Sequence, residues 1–145
     1  MNLKKYELKD ISVVIVTYNR KQDLDIAINS FKDKIKKLGE VLIIDNSSTD
    51  ITEKFIKNLK NSNIKYVRSK VNSLTISRNV GVVKSSKKTK IVTFLDDDIS
   101  LNKDYFENIL DVFNNHKEAV GVSGYYFPKD KKINGLENIL RKLVL

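Results

Sequence analysis

The chain has 145 residues, of which 41% are hydrophobic and 31% charged, a balance typical of a soluble globular protein and not of a disordered one. It has no cysteine and a single histidine, which excludes disulfides, zinc–thiolate sites and histidine-based metal clusters, so any metal would be bound by oxygen. The formal net charge of +9 suits anionic partners, although lysines spread over a solubilising surface would give the same value.

Strands and helices are predicted to alternate along the chain. In chain order we predict strand 12–17, a helix, strand 41–44, a helix capped by Asp50, strand 64–67, helix 74–83, strand 91–95, helix 101–113, strand 120–127 and a terminal helix 133–145. The first helix is predicted from apolar residues at helical spacing: Leu24, Ile28, Phe31, Ile35 and Leu38. Three strands, 12–17, 41–44 and 91–95, are continuously apolar, as in parallel strands buried on both faces. The pattern predicts an α/β fold with a doubly wound, mostly parallel sheet, as one domain over 1–145.

Location and partners are only loosely constrained by the sequence. No apolar run approaches the roughly 20 residues that cross a bilayer, so we predict a cytoplasmic protein, free or peripheral to the membrane. The positive charge is accompanied by no nucleic-acid-binding motif and by no interleaving of basic and aromatic residues. A nucleic-acid partner is therefore not favoured.

Polar residues follow the three apolar strands. These segments are Thr17-Tyr18-Asn19-Arg20, Asp45-Asn46-Ser47-Ser48-Thr49-Asp50 and Asp96-Asp97-Asp98. In open parallel sheets, ligands bind beyond the carboxyl ends of the strands. A single residue such as Asp45 or Asp50 is equally well explained as a turn former or helix cap, but three polar ends on one edge favour a binding site.

The three consecutive carboxylates are the sharpest signal. Two such charges about 4 Å apart repel by about 4 kcal/mol at an effective dielectric constant of about 20, so a cation or raised pKa values must compensate. In extended backbone, Asp96 and Asp98 lie on one side and Asp97 on the other. Two oxygens on one side suit Mg²⁺ or Mn²⁺, which completes its shell with water and phosphate. The alternative is an exposed acidic turn.

Arg78 lies among apolar residues on the predicted helix 74–83. Its guanidinium could reach the surface along its own aliphatic stem. Alternatively, its planar fork could face a phosphate or a base. The residues alone leave both interpretations open.

Taken together, these segments resemble family 2 glycosyltransferases, which have the GT-A fold. The matching stretches are 12–20, 40–50, 77–81 and 94–98, and they occur in the order and at the spacing of the family, within residues 11 to about 128. The resemblance implies a nucleotide-diphospho-sugar donor, most commonly a UDP-sugar, and direct displacement at the anomeric carbon by an acceptor hydroxyl. The acceptor would be a glycan, a lipid or a protein.

The resemblance also implies roles for the residues nearest the base. Thr17 and Tyr18 would line the base pocket, and Asp45 would accept a hydrogen bond from the base, which is uracil in the commonest case. Asn19 and Arg20 would complete this part of the nucleotide-binding set.

At the phosphate end, the resemblance implies that Arg78 lies against the base or the diphosphate. In the Asp-x-Asp motif of the family, the earlier Asp contacts ribose and the last Asp binds the metal. Asp98 is then the expected metal ligand, with Asp96 as a second candidate, and Asp96 or Asp97 would contact the ribose. Asp50 would have a structural role.

The chain departs from the family in length. The catalytic base and the acceptor-binding half of the family lie well after Asp-x-Asp, so we expect a donor-binding half without an identified base. The apolar stripe on the predicted helix 133–145 would contact missing residues, a second copy or a membrane surface, or else pack on the domain itself. Two other functions are considered: a non-catalytic nucleotide-sugar-binding module, and a phosphatase of the haloacid-dehalogenase type, whose Asp-x-Asp normally follows the first strand.

Overall fold

The computed structural model describes residues 5–49 and 51–125. Its sheet has four strands, β1 (Ile11–Thr17), β2 (Glu40–Asp45), β3 (Ile64–Arg68) and β4 (Ile91–Asp96). Every neighbouring pair is parallel, and the spatial order is β3-β2-β1-β4. The predicted α/β fold with a parallel sheet is therefore confirmed. All four strands end at one edge, which we call the carboxyl edge.

The described helices belong to two compact units. Residues 6–103 contain the sheet, a short 3-10 helix (Leu8–Asp10) and three α-helices, α1 (Lys21–Ser30), α2 (Thr52–Asn58) and α3 (Leu74–Lys84). Residues 104–125 belong to the second unit, in which helix α4 (Tyr105–Asn115) carries the buried Phe106. None of these helices, within the residues that the structure describes, is long and apolar enough to cross a membrane.

Three predicted elements differ from the structure. Helix α1 ends at Ser30 rather than continuing to Leu38, and the chain passes through turns in which Phe31 and Ile35 stay buried because turns also bring side chains back to the core. Helix α4 begins at Tyr105, four residues after the predicted start. Residues 120–125 form no strand, so the described part of the predicted strand 120–127 is wrong. The predicted helix 133–145 and the cap at Asp50 lie outside the described residues, and α2 begins at Thr52.

Burial follows the position of each strand in the sheet. Every residue of β2 is buried, and β1 is buried at all but one position, as continuous hydrophobicity predicted. In β4, buried and more exposed residues alternate, and Phe94 is exposed. The prediction that this strand is buried on both faces was wrong, because β4 is the edge strand of the described sheet and α3 packs over β1 and β2.

Helix α3 approaches the sheet closely at Gly81. An added Cβ at Gly81 would lie 2.3 Å from Cγ1 of Val14, far inside van der Waals contact. Val14, Leu42 and Ile44 form the core cluster on this face of the sheet, and Val80 of α3 packs against it. The missing side chain at Gly81 therefore lets α3 rest directly on β1.

A buried carboxylate lies at the amino edge of the sheet, opposite the carboxyl edge. Glu40, at the start of β2, accepts hydrogen bonds from Lys65 Nζ at 2.7 Å, Ser12 Oγ at 2.7 Å and the Ser86 N–H at 2.6 Å. Burial alone would raise the pKa of Glu40, but these hydrogen bonds outweigh burial and lower it. The network ties the start of β2 to its neighbours, away from the candidate site.

Candidate functional site

The order in which strands are added to the sheet reverses between β1 and β4. Strands β2 and β3 follow β1 on one side, whereas β4 pairs with β1 on the other. At the carboxyl edge, Thr17 lies in register with Asp45, and Val16 with Asp96. Ligands of open α/β sheets bind at such a switch point, beyond the carboxyl ends of the strands. The predicted site residues therefore lie where this topology favours a ligand.

Thr17 and Asp97 join the two strands at the switch point. The Thr17 hydroxyl donates to Oδ2 of Asp97 at 2.7 Å, and both residues are buried. Arg20 Nη1 lies 3.4 Å from the other oxygen of Asp97. Burial raises the pKa of Asp97, while the Thr17 hydrogen bond and the Arg20 charge act in the opposite direction. Asp97 is thus a buried carboxyl group held in place by two donors.

The neighbouring carboxylates face outward. The Asp96 and Asp98 side chains are 63% and 55% exposed, against 8% for Asp97. This difference agrees with the predicted alternation about the strand. Arg78 Nη2 donates to Asp96 Oδ1 at 3.0 Å, and Arg20 Nη1 donates to Asp98 Oδ2 at 3.1 Å. Arg78 therefore faces the carboxylate cluster with a partly exposed side chain, and its contact with a phosphate or a base stays a prediction.

Two arginines supply the compensating charge that three adjacent carboxylates need. Both exposed pairs, Arg20 with Asp98 and Arg78 with Asp96, lie largely in solvent. Each such exposed ion pair contributes only about 0–1 kcal/mol to stability, so an arginine can readily leave its carboxylate for another anion. The oxygen-only donors suit Mg²⁺ or Mn²⁺, which binds through one or two carboxylates plus phosphate and water. Among the described residues there is no cluster of three acidic, His or Cys side chains that would bind a metal without such a ligand.

Asp45 is fully buried at the end of β2. Its Oδ1 accepts the Ser48 N–H at 2.7 Å, and its Oδ2 accepts the Tyr66 hydroxyl at 2.5 Å. The first contact closes a turn, as the turn-forming interpretation of Asp45 predicts. Burial, followed by the Asp45 hydrogen bond, raises the pKa of Tyr66. Because Asp45 is fully buried, a base could contact its carboxylate only after the groups that cover it had moved.

Two loops at the carboxyl edge are linked through Asn19. Its N–H donates to Ser48 Oγ at 2.9 Å, and its Oδ1 accepts the Thr49 N–H at 2.9 Å. Asn19 and Ser47 both have positive φ, 54° and 69°. Non-glycine residues in this region cost about 1–3 kcal/mol and are often found at functional sites. The loop after β1 and the loop after β2 are therefore held in one arrangement.

Tyr18 and Arg20 offer accessible surface beside these buried groups. The Tyr18 side chain is exposed, as is about half of Arg20. An open groove of about 290 Å³ lies at the start of α1 and is lined by Asn19, Arg20, Lys21, Gln22, Asp23 and Ile51. The lining includes two of the predicted nucleotide-binding residues, Asn19 and Arg20, but not Asp96, Asp97 or Asp98.

Sequence reasoning missed two residues that organise this edge. The sequence predicts Tyr66 only as part of a strand, yet its hydroxyl donates to Asp45. It predicts Asn46 only as part of a polar strand end, yet the buried side chain of Asn46 accepts hydrogen bonds from Ser73 and Ser77 at the start of α3. A tyrosine, with its polar hydroxyl, inside a short predicted strand was the available signal for Tyr66. Nothing local marked the partners of Asn46, which come from a distant segment.

Comparison with known proteins identifies a family and several relatives. The family model of Glycosyl transferase family 2 matches residues 12–143. The minor teichoic acid biosynthesis protein GgaA of Bacillus subtilis is 29% identical over 129 residues, covering 83% of this chain and 29% of GgaA. The Escherichia coli protein WfaP, a UDP-Glc:α-D-GlcNAc-diphosphoundecaprenol β-1,3-glucosyltransferase, is 28% identical over 127 residues, covering 87% of this chain and 50% of WfaP. The chain thus spans half or less of the length of these relatives.

A solved structure shares the fold. S. aureus TarS 1–349 in complex with UDP-GlcNAc superposes with a TM-score of 0.65 at 25% identity. The match covers 82% of this chain and 37% of that one.

Proposed function

The chain belongs to glycosyl transferase family 2, and we propose that its carboxyl edge binds the nucleoside diphosphate of a nucleotide-sugar donor together with Mg²⁺ or Mn²⁺. The observation that carries the proposal is the meeting of Thr17, Arg20 and Asp97 with two further carboxylates at the switch point between β1 and β4. Parallel sheets bind nucleotides at this position.

A uridine nucleotide is the donor that we propose. TarS is described in complex with UDP-GlcNAc, and the name of WfaP contains UDP-Glc. In this chain, Tyr18 is exposed beside the buried Thr17 and would cover one side of the base. Asp45 is fully buried beside the Tyr66 hydroxyl, so it would contact the base only after the groups that cover it had moved.

The exposed carboxylates and arginines would bind the ribose and diphosphate. We assign Asp98 to the metal, with Asp96 as the ribose contact or a second metal ligand, because both are exposed whereas Asp97 is already bonded on both oxygens. When bound, the divalent ion would stabilise negative charge on the diphosphate as a Lewis acid. Arg78 and Arg20 would exchange their carboxylate partners for phosphate oxygens, which their planar forks match.

Sugar transfer to an acceptor hydroxyl is the reaction that we propose for the whole protein. The names of GgaA and WfaP point to a teichoic acid and a lipid-linked sugar in those proteins, so a glycan or lipid-linked acceptor is proposed here. The acceptor oxygen would attack the anomeric carbon as the bond to the diphosphate breaks, and a carboxylate base would take the hydroxyl proton. We assign no base among the described residues.

Thermal unfolding with nucleotides tests the donor site. UDP with Mn²⁺ should stabilise the chain by about 2.7 kcal/mol at a hundredfold excess over Kd, and EDTA should abolish the effect if the ion bridges phosphate to Asp98. Asp98→Asn should lose the stabilisation while keeping the apo fold. Asp33→Asn, an equal charge change at an exposed turn between α1 and β2, should retain it. Equal stabilisation of the Asp98 variant, or full stabilisation in EDTA, would contradict the assignment of the metal.

A further inference from the structure

Asn46, the first residue after β2, lies between the sheet and the start of α3. Only 7% of its surface is exposed. Its Oδ1 accepts the Ser73 N–H at 2.9 Å and the Ser77 hydroxyl at 3.1 Å, and its Nδ2 donates to Asn72 Oδ1 at 2.9 Å. The N–H of Ser73 and the hydroxyl of Ser77 thus meet on one oxygen. This buried amide therefore helps to hold the start of α3, together with the Ser73 side chain, which caps the helix by accepting the Ile76 N–H.

A second contact fixes the same helix further along. Gly81 of α3 rests on Val14 of β1, at a separation that leaves no room for a side chain. Asn46 holds the first turn and Gly81 the last, so α3 is located at two points against the sheet. Neither contact involves Arg78, which lies between them and follows Ser77 directly.

The placement of α3 decides what Arg78 can reach. Its Nη2 lies 3.0 Å from Asp96 Oδ1, across the carboxyl edge at the end of β4. A hydrogen bond at this distance tolerates only a small displacement of the helix. A bidentate or stacked arginine also depends on orientation. Moving the first turn of α3 would therefore move Arg78 away from the site.

We propose that Asn46 is a positioning residue for donor binding: it holds the start of α3 so that Arg78 faces the carboxylates and the nucleoside diphosphate. The inference rests on the proposed function, because Arg78 is taken to contact the donor. The effect of Asn46 on binding should pass through Arg78, and it should vanish when Arg78 is absent.

A double-mutant cycle on UDP affinity tests this coupling. With Mn²⁺ present, calorimetry should show that Asn46→Leu and Arg78→Ala each weaken UDP binding by about tenfold or more, as expected for a lost charged hydrogen bond. The double variant should bind no more weakly than Arg78→Ala alone, since the two changes disable one group. The proposal would be overturned if the losses of affinity in the two single variants multiplied in the double variant. It would also be overturned if Asn46→Leu lowered the stability and left the UDP affinity unchanged.

Two further variants keep the test decisive if Asn46→Leu fails to fold. Ser77→Ala removes a single bond to Asn46 and should weaken UDP binding only when Arg78 is present. Asn46→Asp keeps the acceptor for Ser73 and Ser77, and should bind UDP more tightly than Asn46→Leu. If neither Ser77→Ala nor Asn46→Asp shows this pattern, the proposal is wrong.

Asn63 provides the matched control. Like Asn46, it links separate segments through its side-chain amide: Nδ2 donates to Ile35 O at 3.0 Å and to Leu38 O at 3.2 Å, but Asn63 lies before β3 at the amino edge. Asn63→Leu should lower the melting temperature and leave UDP affinity unchanged. If it weakens UDP binding as much as Asn46→Leu does, the effect is general destabilisation and the proposal fails.

A crystal structure of Asn46→Leu without ligand separates this inference from the donor assignment. The distance from Arg78 Nη2 to Asp96 Oδ1 should exceed hydrogen-bonding range. An unchanged contact of 3.0 Å would overturn the positioning role whether or not UDP binds. Conversely, a displaced Arg78 in a chain that does not bind UDP would support the positioning role and reject the proposed function.

Discussion

The Thr17 hydroxyl donates to the buried Asp97 carboxylate across 2.7 Å and so joins the ends of β1 and β4. Thr17 is the last residue of β1, and Asp97 directly follows β4, the adjacent parallel strand, which is far away in the chain. Burial raises the pKa of Asp97 above its ordinary value of 3.8, against the lowering effects of Thr17 and Arg20. Burial therefore favours the neutral carboxyl group of Asp97, whereas the hydrogen bond from Thr17 favours the charged carboxylate.

Thr17→Val should make stability more sensitive to pH. Since the folded pKa of Asp97 is raised, its contribution to stability is full below the unfolded pKa and falls as pH rises through the folded pKa. Removing the Thr17 donor raises that pKa further. The deficit in free energy of unfolding should grow from acid to neutral pH and reach about 1.5–3 kcal/mol, as measured by urea unfolding. Thr93→Val, at a buried position in β4, should show no such trend; a constant deficit for Thr17→Val would contradict the account.

Glu40→Gln should show the opposite dependence on pH. The Lys65, Ser86 and Ser12 hydrogen bonds hold the pKa of Glu40 below its ordinary 4.5 despite its burial. Its contribution is therefore present above the unfolded pKa and lost as pH falls through the folded pKa. Urea unfolding should show a deficit of about 1.5–3 kcal/mol at neutral pH that shrinks on acidification. UDP affinity should not change, because Glu40 lies at the amino edge; a tenfold weaker affinity would show that the edges are coupled.

Gly81→Ala should destabilise the chain although alanine favours helices. The added Cβ would lie 2.3 Å from Val14 Cγ1, and overpacking of this kind costs about 1–3 kcal/mol, against about 1 kcal/mol gained in helix propensity. In a Val14→Ala background the clash is relieved, so the same substitution should cost less. Chemical denaturation of the four proteins of this cycle measures the difference. Equal costs in both backgrounds would mean that α3 does not rest on Val14.

Tyr66→Phe distinguishes two roles for Asp45. If a uracil competes with the Tyr66 hydroxyl for the Asp45 carboxylate, removing the hydroxyl should strengthen UDP binding more than ADP binding. If Asp45 only closes the turn to Ser48, the two affinities should change equally. Titration calorimetry with both nucleotides makes the comparison. The base-reading role predicts a selective gain, and an equal change would reject it.

The sequence predicted those parts of the fold that depend on local pattern. Strands β1 and β2 were located from continuous hydrophobicity because neighbours cover both of their faces. The same pattern wrongly predicted that β4 is buried on both faces. The order of strands in a sheet cannot be read from the residues of one strand, and β4 lies at the edge of the described sheet. Helix α1 was predicted too long because Phe31 and Ile35 keep the apolar spacing after the helix has ended.

The sequence predicted that the polar residues of the candidate site lie at the carboxyl edge, but it did not predict which of them pair with one another. The exposed side chains of Asp96 and Asp98 and the buried one of Asp97 match the alternation predicted for extended backbone, although Asp97 and Asp98 lie in a turn after β4. The pairing of Arg20 with Asp98 and of Arg78 with Asp96 depends on the topology of the sheet and its helices, which the sequence does not show directly. The same is true of Tyr66 and Asn46, whose partners lie on other elements. These contacts needed the three-dimensional arrangement.

The position of the donor site is tested most directly by mapping backbone amide shifts in a ¹⁵N-labelled chain titrated with UDP and Mg²⁺. The account predicts shifts concentrated at the carboxyl edge, in residues 17–20, 45–49, 77–78 and 96–98. Amides at the amino edge, near Glu40, Lys65 and Ser86, should stay unchanged. The account would be contradicted by shifts spread over surface lysines or located at the amino edge. It would also be contradicted if no amide shifted at UDP concentrations well above the dissociation constant of a typical donor site.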